Sequence, residues 1–216
     1  MSSEVKARRY DASRRRVAAQ ETRRRVLAAA RDLFTTQGYD ATSVAAIAEA
    51  SEVSVDTVYA SVGRKPRILL AVHDMELADA DEPVGSEERD YVKEIRVAGM
   101  AAAKIELYAA ALAARLPRTV PLMGALRAAG ARDQACRAAY EELSQRRAAN
   151  MRLFAEDLVA TGELRADVTV DEIATLVWSM NSPDYFTLLA EAGRTPREYA
   201  DLLVRVWSRT FLAAPG

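Results

Sequence analysis

Cysteine and histidine are nearly missing from this sequence, with one representative each, Cys136 and His73. A single cysteine excludes an intramolecular disulfide framework and fits a reducing compartment such as the cytoplasm. No HExxH motif, clustered Cys/His set or glycine-rich phosphate loop is present, so no metal or cofactor is expected. Cys136 has no base nearby in sequence and is expected as a buried or half-buried small side chain. Carboxylates such as Glu141 and Glu142 read as a solvated helix face, and the chain is not expected to be an enzyme. No apolar signal core opens the sequence and no apolar run approaches the length of a membrane span, which leads us to expect a soluble protein. Only nine glycines and seven prolines interrupt the 216 residues, and no stretch alternates β-branched residues as half-buried strands do.

What remains is a helix-forming composition. Half of the residues are apolar, and alanine, leucine, arginine and glutamate, all strong helix formers, dominate. The expected fold is all-α, with enough apolar surface for a substantial core in one or two domains. Charge is nearly balanced overall, with 30 basic and 31 acidic residues. It is not evenly spread. Residues 1–70 carry 13 Lys or Arg against 8 Asp or Glu, and the remainder carries 17 against 23. A basic head on an acidic body suits a protein that presents one end to a polyanion. Lys6, Arg8, Arg9, Arg14, Arg15 and Arg16 read either as a basic arm that follows a nucleic-acid backbone or as a solvated tail.

The segment 42–65, TSVAAIAEASEVSVDTVYASVGRK, carries most of the information. It predicts two short helices joined by a tight turn, the arrangement that lays a second helix into the major groove of DNA. Thr42 is the expected N-cap of the first, with Val44, Ile47 and Ala48 on its apolar face. The turn falls at 50–53, Ser54 is the expected cap of the second helix, and Val58 points inward while Asp56, Thr57 and Tyr59 stay available outside. A preceding helix over 23–34 shows a stripe of Val26, Leu27, Ala30, Leu33 and Phe34 and closes at Gly38. After the motif, Gly63-Arg64-Lys65-Pro66 breaks the chain, and Pro66 fits the first turn of a fourth helix running to about residue 80. Lys65 has the wrong sign for the positive end of a helix dipole, and phosphate contact explains it better.

Beyond that helix, Pro83-Val84-Gly85-Ser86 is a break. A long helix is expected from 91 to 114, ended near Pro117, with a shorter one at 120–126. Gly130 separates these from a helix over 133–160 that stops at Thr161-Gly162. Thr169 with Glu172, and Thr195 with Glu198, form capping boxes, and Ser182-Pro183 starts a helix between them. Leu202, Leu203, Val206, Phe211 and Leu212 give the last helix more apolar surface than one core stripe needs. Dimerisation through the C-terminal helices would bury the excess, as would ordinary packing within the chain.

The run Thr22-Arg23-Arg24-Arg25, Ala28-Ala29-Ala30, Leu33-Phe34, Gly38-Tyr39, Thr42-Ser43-Val44, Ile47-Ala48, Val53-Ser54, Thr57-Val58-Tyr59 and Lys65 resembles the tetracycline-repressor (TetR) family of transcriptional regulators. The segments SPDYFTLL and GRTPREYADLL also resemble C-terminal regions of some members. The resemblance implies a helix-turn-helix DNA-binding domain over 20–66, preceded by the basic arm 1–19. It also implies an effector-binding and dimerisation domain over 67–216. It places Thr42 and Lys65 on the DNA backbone and gives the DNA-facing surface to Ser54, Val55, Asp56, Thr57 and Tyr59. Groove chemistry allows Thr57 a phosphate or a thymine methyl, Val55 a methyl, and Asp56 a cytosine amine, although an unpaired Asp56 would repel phosphate. Three positions depart from the family pattern. Glu52 stands where a turn glycine is common, Ser61-Val62 replaces an aromatic pair, and GRKP is a variant.

In the body, Tyr108, Met123, Tyr140, Met151, Phe154, Trp178, Met180, Asn181, Tyr185 and Phe186 can line an effector cavity or simply build the core. The leading reading is a homodimeric repressor that binds a palindromic operator and is released by a small-molecule effector. The alternative is a helical ligand-binding or protein-interaction dimer with a weakened head.

Overall fold

The computed structural model describes the backbone of residues 2–214 and the side chains of residues 14–214. Among the described residues ten α-helices follow one another: α1 (Ser2–Thr36), α2 (Val44–Ala50), α3 (Val55–Ser61), α4 (Lys65–Ala78), α5 (Asp90–Val97), α6 (Ala101–Gly130), α7 (Gln134–Val159), α8 (Val170–Met180), α9 (Pro183–Glu191) and α10 (Pro196–Phe211). No strand occurs among the described residues, and Leu164 and Leu212 form one isolated bridge. Residues 2–19, read from sequence as an arm, are helical and run without a break into the rest of α1. The side chains of Lys6, Arg8 and Arg9 lie outside the described residues.

Two apolar cores are built from these helices. The first joins Val26, Leu27, Ala30 and Phe34 of α1 to Ile47, Ala48 and Val58 of the short helices. It continues through α4 into Leu122, Met123 and Leu126 of α6 and Ala139 and Leu143 of α7. The second lies between α5, the first half of α6, the second half of α7, and α8 to α10, with Trp207, Tyr199 and Phe211 fully buried at its centre. α4 serves the first core from nearly all sides, since every residue from Ile68 to His73 is buried, as are Pro66 and Met75. A helix apolar around its whole circumference is stable only when enclosed.

Capping accounts for most of the boundaries. Ser54, Ser182, Thr169 and Thr195 cap α3, α9, α8 and α10 as the sequence predicts, the last two through complete capping boxes. At α2 the cap is Ser43, whose Oγ accepts from the Ala46 N–H at 3.0 Å. Thr42 is buried instead, and its hydroxyl donates to the Gly38 carbonyl at 2.8 Å and the Leu33 carbonyl at 3.2 Å. It closes the end of α1 rather than opening α2.

The expected helix end near Pro117 is not found. α6 runs through both Pro117 and Pro121. Both prolines are exposed, and the buried stripe of Leu116, Thr119, Leu122 and Met123 keeps its packing on the other side. Each proline removes one ladder bond, but tertiary burial offsets that cost here. The break falls earlier, at 98–100. There Lys104, itself buried, donates to the carbonyls of Ile95 at 2.8 Å and Arg96 at 3.0 Å and pairs with Asp157 at 2.8 Å. Its ammonium thereby closes the C-terminal end of α5, where a cation is favoured. The first amide of α6, that of Ala101, donates to Glu163 at 2.7 Å.

The α2–α3 turn uses a left-handed residue. Glu52 has φ 54°. Its N–H donates to the Glu49 carbonyl, while the Val53 N–H reaches the Ala48 carbonyl at 3.0 Å. This is a Schellman closure, and Val53 packs on the core beneath it. A side chain at such a φ is disfavoured where glycine is not.

Two stability measurements follow. Glu52→Gly is expected to raise the unfolding free energy by up to about 1 kcal/mol, and Glu52→Val to lower it by about as much or more. Chemical denaturation in urea reads both, and a Val variant as stable as the parent would show that the turn is not strained. Lys104→Met should cost about 2–3 kcal/mol, because it strands two carbonyls and a part-buried carboxylate. A loss within error of zero would mean that Lys104 is not the closure of α5.

Candidate nucleic-acid interface and body pocket

α1, α2 and α3 close over Val26, Leu27, Phe34, Ile47 and Val58 and leave one face of α3 outside. Val55 is 36 % exposed and Tyr59 46 %, and Ser54 and Asp56 are exposed beside them. Large apolar or aromatic side chains standing out from an otherwise closed three-helix unit are surplus to its packing. Thr57 is half-buried, and its hydroxyl lies 2.8 Å from that of Ser54, so these two polar groups satisfy each other at the helix start. Val58 is fully buried, as its position in the helix requires. Val62 packs partly against the same core.

The basic residues of this region are less available than their number implies. Arg23 donates to the Ser61 carbonyl at 2.6 Å and so closes the end of α3. Arg24 and Arg31 both pair with Asp81, which follows α4, and Arg67 pairs with Glu142 of α7 at 2.6 Å. Lys65 opens α4, but its ammonium sits 4.0 Å from the centre of the Tyr39 ring. Burial lowers its pKa, and the carboxylate of Asp40 acts in the opposite sense. Tyr39 packs at 5.6 Å from Phe34, and its hydroxyl lies 3.2 Å from the Cys136 sulfur on α7. Burial, the largest cause, pushes the Tyr39 hydroxyl well above the usual phenol range and also raises the Cys136 thiol. Cys136 is therefore a buried contact between the three-helix unit and the body. Thr42, turned into the end of α1, has no hydroxyl facing outward, and the exposed hydroxyl at this helix start is that of Ser43.

The proposed pocket residues divide into groups. Tyr108, Met151, Phe154 and Asn181 come together in the second core. The Asn181 amide donates to the Tyr108 hydroxyl and the Met151 sulfur, both at 2.8 Å, and the Tyr108 and Phe154 rings lie 4.6 Å apart. Trp207 stacks on Tyr108 at 5.9 Å, and its ring N–H is buried without a hydrogen-bond partner among the described residues. Met180 and Phe186 are buried in the same core, and Tyr185 is half-buried against Tyr199. Met123 and Tyr140 belong to the other core, and Trp178 is more than one-third exposed.

Tyr108, Met151 and Phe154 line a cavity of about 80 Å3 together with Tyr91 and Ile95 of α5. Beside it opens a cleft of about 410 Å3 between α4, the loop after it and α7, bordered by Arg89, Arg146 and Arg147. No local motif marks these arginines or Tyr91. They are distant in sequence, and only the packing of α5 and α7 assembles them. No group of three or more His, Cys, Asp or Glu residues placed to hold a metal ion occurs among the described residues, and no helix among them is long and apolar enough to cross a membrane.

Comparison with known proteins bears first on the fold. A transcriptional regulator from Saccharomonospora viridis, solved in complex with choline, superposes with a TM-score of 0.67 at 18 % identity, over 90 % of this chain and 100 % of that one. A TetR-family regulator from a Rhodococcus species gives 0.66 at 17 % identity, over 88 % and 98 % of the two chains. Thermus thermophilus FadR, a TetR-family transcriptional repressor in complex with lauroyl-CoA, gives 0.52 at 21 % identity, over 90 % and 99 %. No curated protein matches the sequence. The sequence model of bacterial regulatory proteins of the tetR family matches residues 26–72, which span the three-helix unit and the first half of α4. The head of the chain thus matches the sequence model of the tetR family over residues 26–72, and the chain as a whole shares the fold of these solved regulators.

Proposed function

We propose that this chain is a cytoplasmic, homodimeric transcriptional repressor that binds a palindromic operator through α3 and releases it when a small molecule enters the body. The observation that carries the reading is the exposed face of Val55, Asp56 and Tyr59 on a head whose core is otherwise closed. Ser54, Thr57 and Lys65 flank that face, and Ser43 is the better candidate than Thr42 for a phosphate contact at the start of α2. A dimer that sets two such helices about 34–36 Å apart meets successive major grooves on one side of the duplex.

Support for dimerisation comes from the apolar groups left over by the second core. Leu203 and Phe211 of α10 are consumed inside it and Val206 and Leu212 pack against it, whereas Leu202 is half-buried outside it. Leu188 of α9 is 63 % exposed and Trp178 of α8 is 37 % exposed. Covering these on a second copy would remove apolar surface from water. Support for an effector comes from the cavity under Tyr108, Met151 and Phe154, and from choline and lauroyl-CoA bound in two proteins of this fold. α4 joins the two functions, since it packs on the head, on α6 and on α7. A ligand that favours one placement of α4 shifts the population of DNA-competent dimers. The competing reading, a ligand-binding dimer with a weakened head, draws on Asp56 at the DNA-facing surface and on the Ser54–Thr57 hydroxyl pair.

Selection of duplexes from random DNA, followed by footprinting of the winners across a salt series, tests the reading. A palindromic consensus with symmetric protection is expected, and no enrichment would leave the competing reading. Tyr59→Ala should weaken the selected site by about 1–3 kcal/mol and relax one position of the consensus. Lys65→Ala should weaken all sequences alike and reduce the salt slope by about one. An unchanged footprint in Tyr59→Ala would remove α3 from the interface. Operator DNA should also weaken effector binding by the factor with which effector weakens operator binding. Equal effector affinities with and without operator would sink the release mechanism.

A further inference from the structure

The cleft beside the body cavity has an unusual balance of charge. Its lining includes three arginines, Arg89, Arg146 and Arg147, against one acidic residue, Asp74. Asp74 is shared. It accepts from Arg146 at 3.0 and 3.1 Å and lies 3.4 Å from Arg89. Arg89 is buried and also donates to the Val84 carbonyl at 3.3 Å. Arg147 has no carboxylate within 4 Å among the described residues. It donates instead to Asn181 and, at 3.2 Å, to the Trp178 carbonyl, closing the end of α8. Burial lowers its pKa, which marks a cation held in poorly hydrating surroundings. The Asp74 carboxylate is therefore shared between two guanidinium groups in a partly enclosed space, and planar guanidinium groups recognise carboxylate and phosphate in a fixed geometry.

The apolar cavity adjoins this cationic cleft directly, because Ser86 and Asn150 line both. Its apolar walls include Tyr91, Ile95, Tyr108 and Phe154, and Glu87, Arg96 and Asp157 also line it. Within that cavity Glu87 is paired with Arg96 and Asp157 with Lys104, so neither carboxylate offers an unpaired charge to a ligand. Polarity thus runs from apolar at one end to cationic at the other.

We propose that the effector is an amphipathic anion, a carboxylate or phosphate head on a short apolar tail, and that its head competes with Asp74 for Arg146 and Arg89. This rests on the reading of the body as effector-binding and supplies its chemistry. Asp74 belongs to α4, Arg146 to α7, and Arg89 to the segment just before α5. The Asp74–Arg146 pair is accordingly a tie between the helix that carries the head and the body. An anion seated on the arginines takes over their hydrogen bonds and loosens that tie. The freed carboxylate has a waiting donor in His73, whose Nδ1 is buried without a hydrogen-bond partner among the described residues and lies 3.6 Å from Asp74. The same contact that selects the ligand therefore acts on the position of α4.

Calorimetric titration of the full-length protein with hexanoate, hexyl phosphate, 1-hexanol and hexylammonium tests the proposal. At least one anion should bind about ten-fold or more tightly than 1-hexanol, the gain of a charge-assisted hydrogen bond. The preference between hexanoate and hexyl phosphate tells which head group the cleft takes. Arg146→Gln, at a part-exposed position, should erase the margin over the alcohol. Asp74→Asn, which removes the competing carboxylate, should tighten anion binding. Equal binding of 1-hexanol, tighter binding of hexylammonium, an undiminished margin in Arg146→Gln, or no binding by any probe would each overturn the anion site. Footprinting of the selected operator separates this from the broader reading. Release of DNA by 1-hexanol or hexylammonium would keep an effector-responsive regulator while rejecting the anion. Arginine-dependent anion binding that left operator affinity unchanged would keep the site but reject its role on α4.

Discussion

Enclosure of α4 is the constraint on which the rest of this structure depends. An eight-residue helix with one apolar stripe could lie on a surface, but a helix buried from Ile68 through His73 must be covered on all sides. The head covers one side and α6 and α7 cover the other, so the first core ignores the boundary between the three-helix unit and the helical body. Mechanical communication follows from this. A shift of α7 reaches α4 through the packed side chains of Ala139 and Leu143 and through the Arg146–Asp74 pair, because packed interiors transmit displacement. The polar contacts around α4 repeat the theme. Arg115 and Arg118 of α6 hold its C-terminal end through Leu77, Glu76 and Asp79, and Arg146 of α7 holds its middle through Asp74.

Arginine does much of the closing in this chain. Helix ends leave carbonyls without partners, and guanidinium groups with several donors reach them from neighbouring helices. Arg23 does so for α3, Arg115 for α4 and Arg147 for α8, while Lys104 takes the same part at α5. The consequence for function is that basic residues cannot be counted toward DNA simply by their place in the head. Arg23, Arg24, Arg31 and Arg67 all have protein partners. In the proposed reading, the part of the head left for a duplex is narrower and less charged, centred on the exposed Val55, Asp56 and Tyr59. That reading gives methyl and aromatic contacts more of the weight than a uniform basic surface would carry.

The chain's sequence by itself determined its local elements. Side-chain oxygens at Ser54, Thr169, Ser182 and Thr195, prolines at helix starts and glycines at helix ends act within a few residues, so their effect is visible without knowing the fold. The inward turn of Val58 and the outward turn of Tyr59 follow equally from helical period. Tertiary structure decided the rest. Whether Pro117 ends a helix depended on a stripe of α6 that packs against distant helices, and burial of that stripe carried the helix through. Thr42 and Ser43 are equivalent as caps on paper, and the approach of α2 to the end of α1 assigned one inward and the other outward. Lys65 read as a solitary cation at a helix start, and only the fold placed the Tyr39 ring beneath its ammonium. The body pocket was the least legible of all. Tyr108, Met151, Phe154 and Asn181 were recognisable as residue types, but Arg89, Arg146 and Tyr91 gain meaning only when α4, α5 and α7 meet, since long-range packing leaves no period in the sequence.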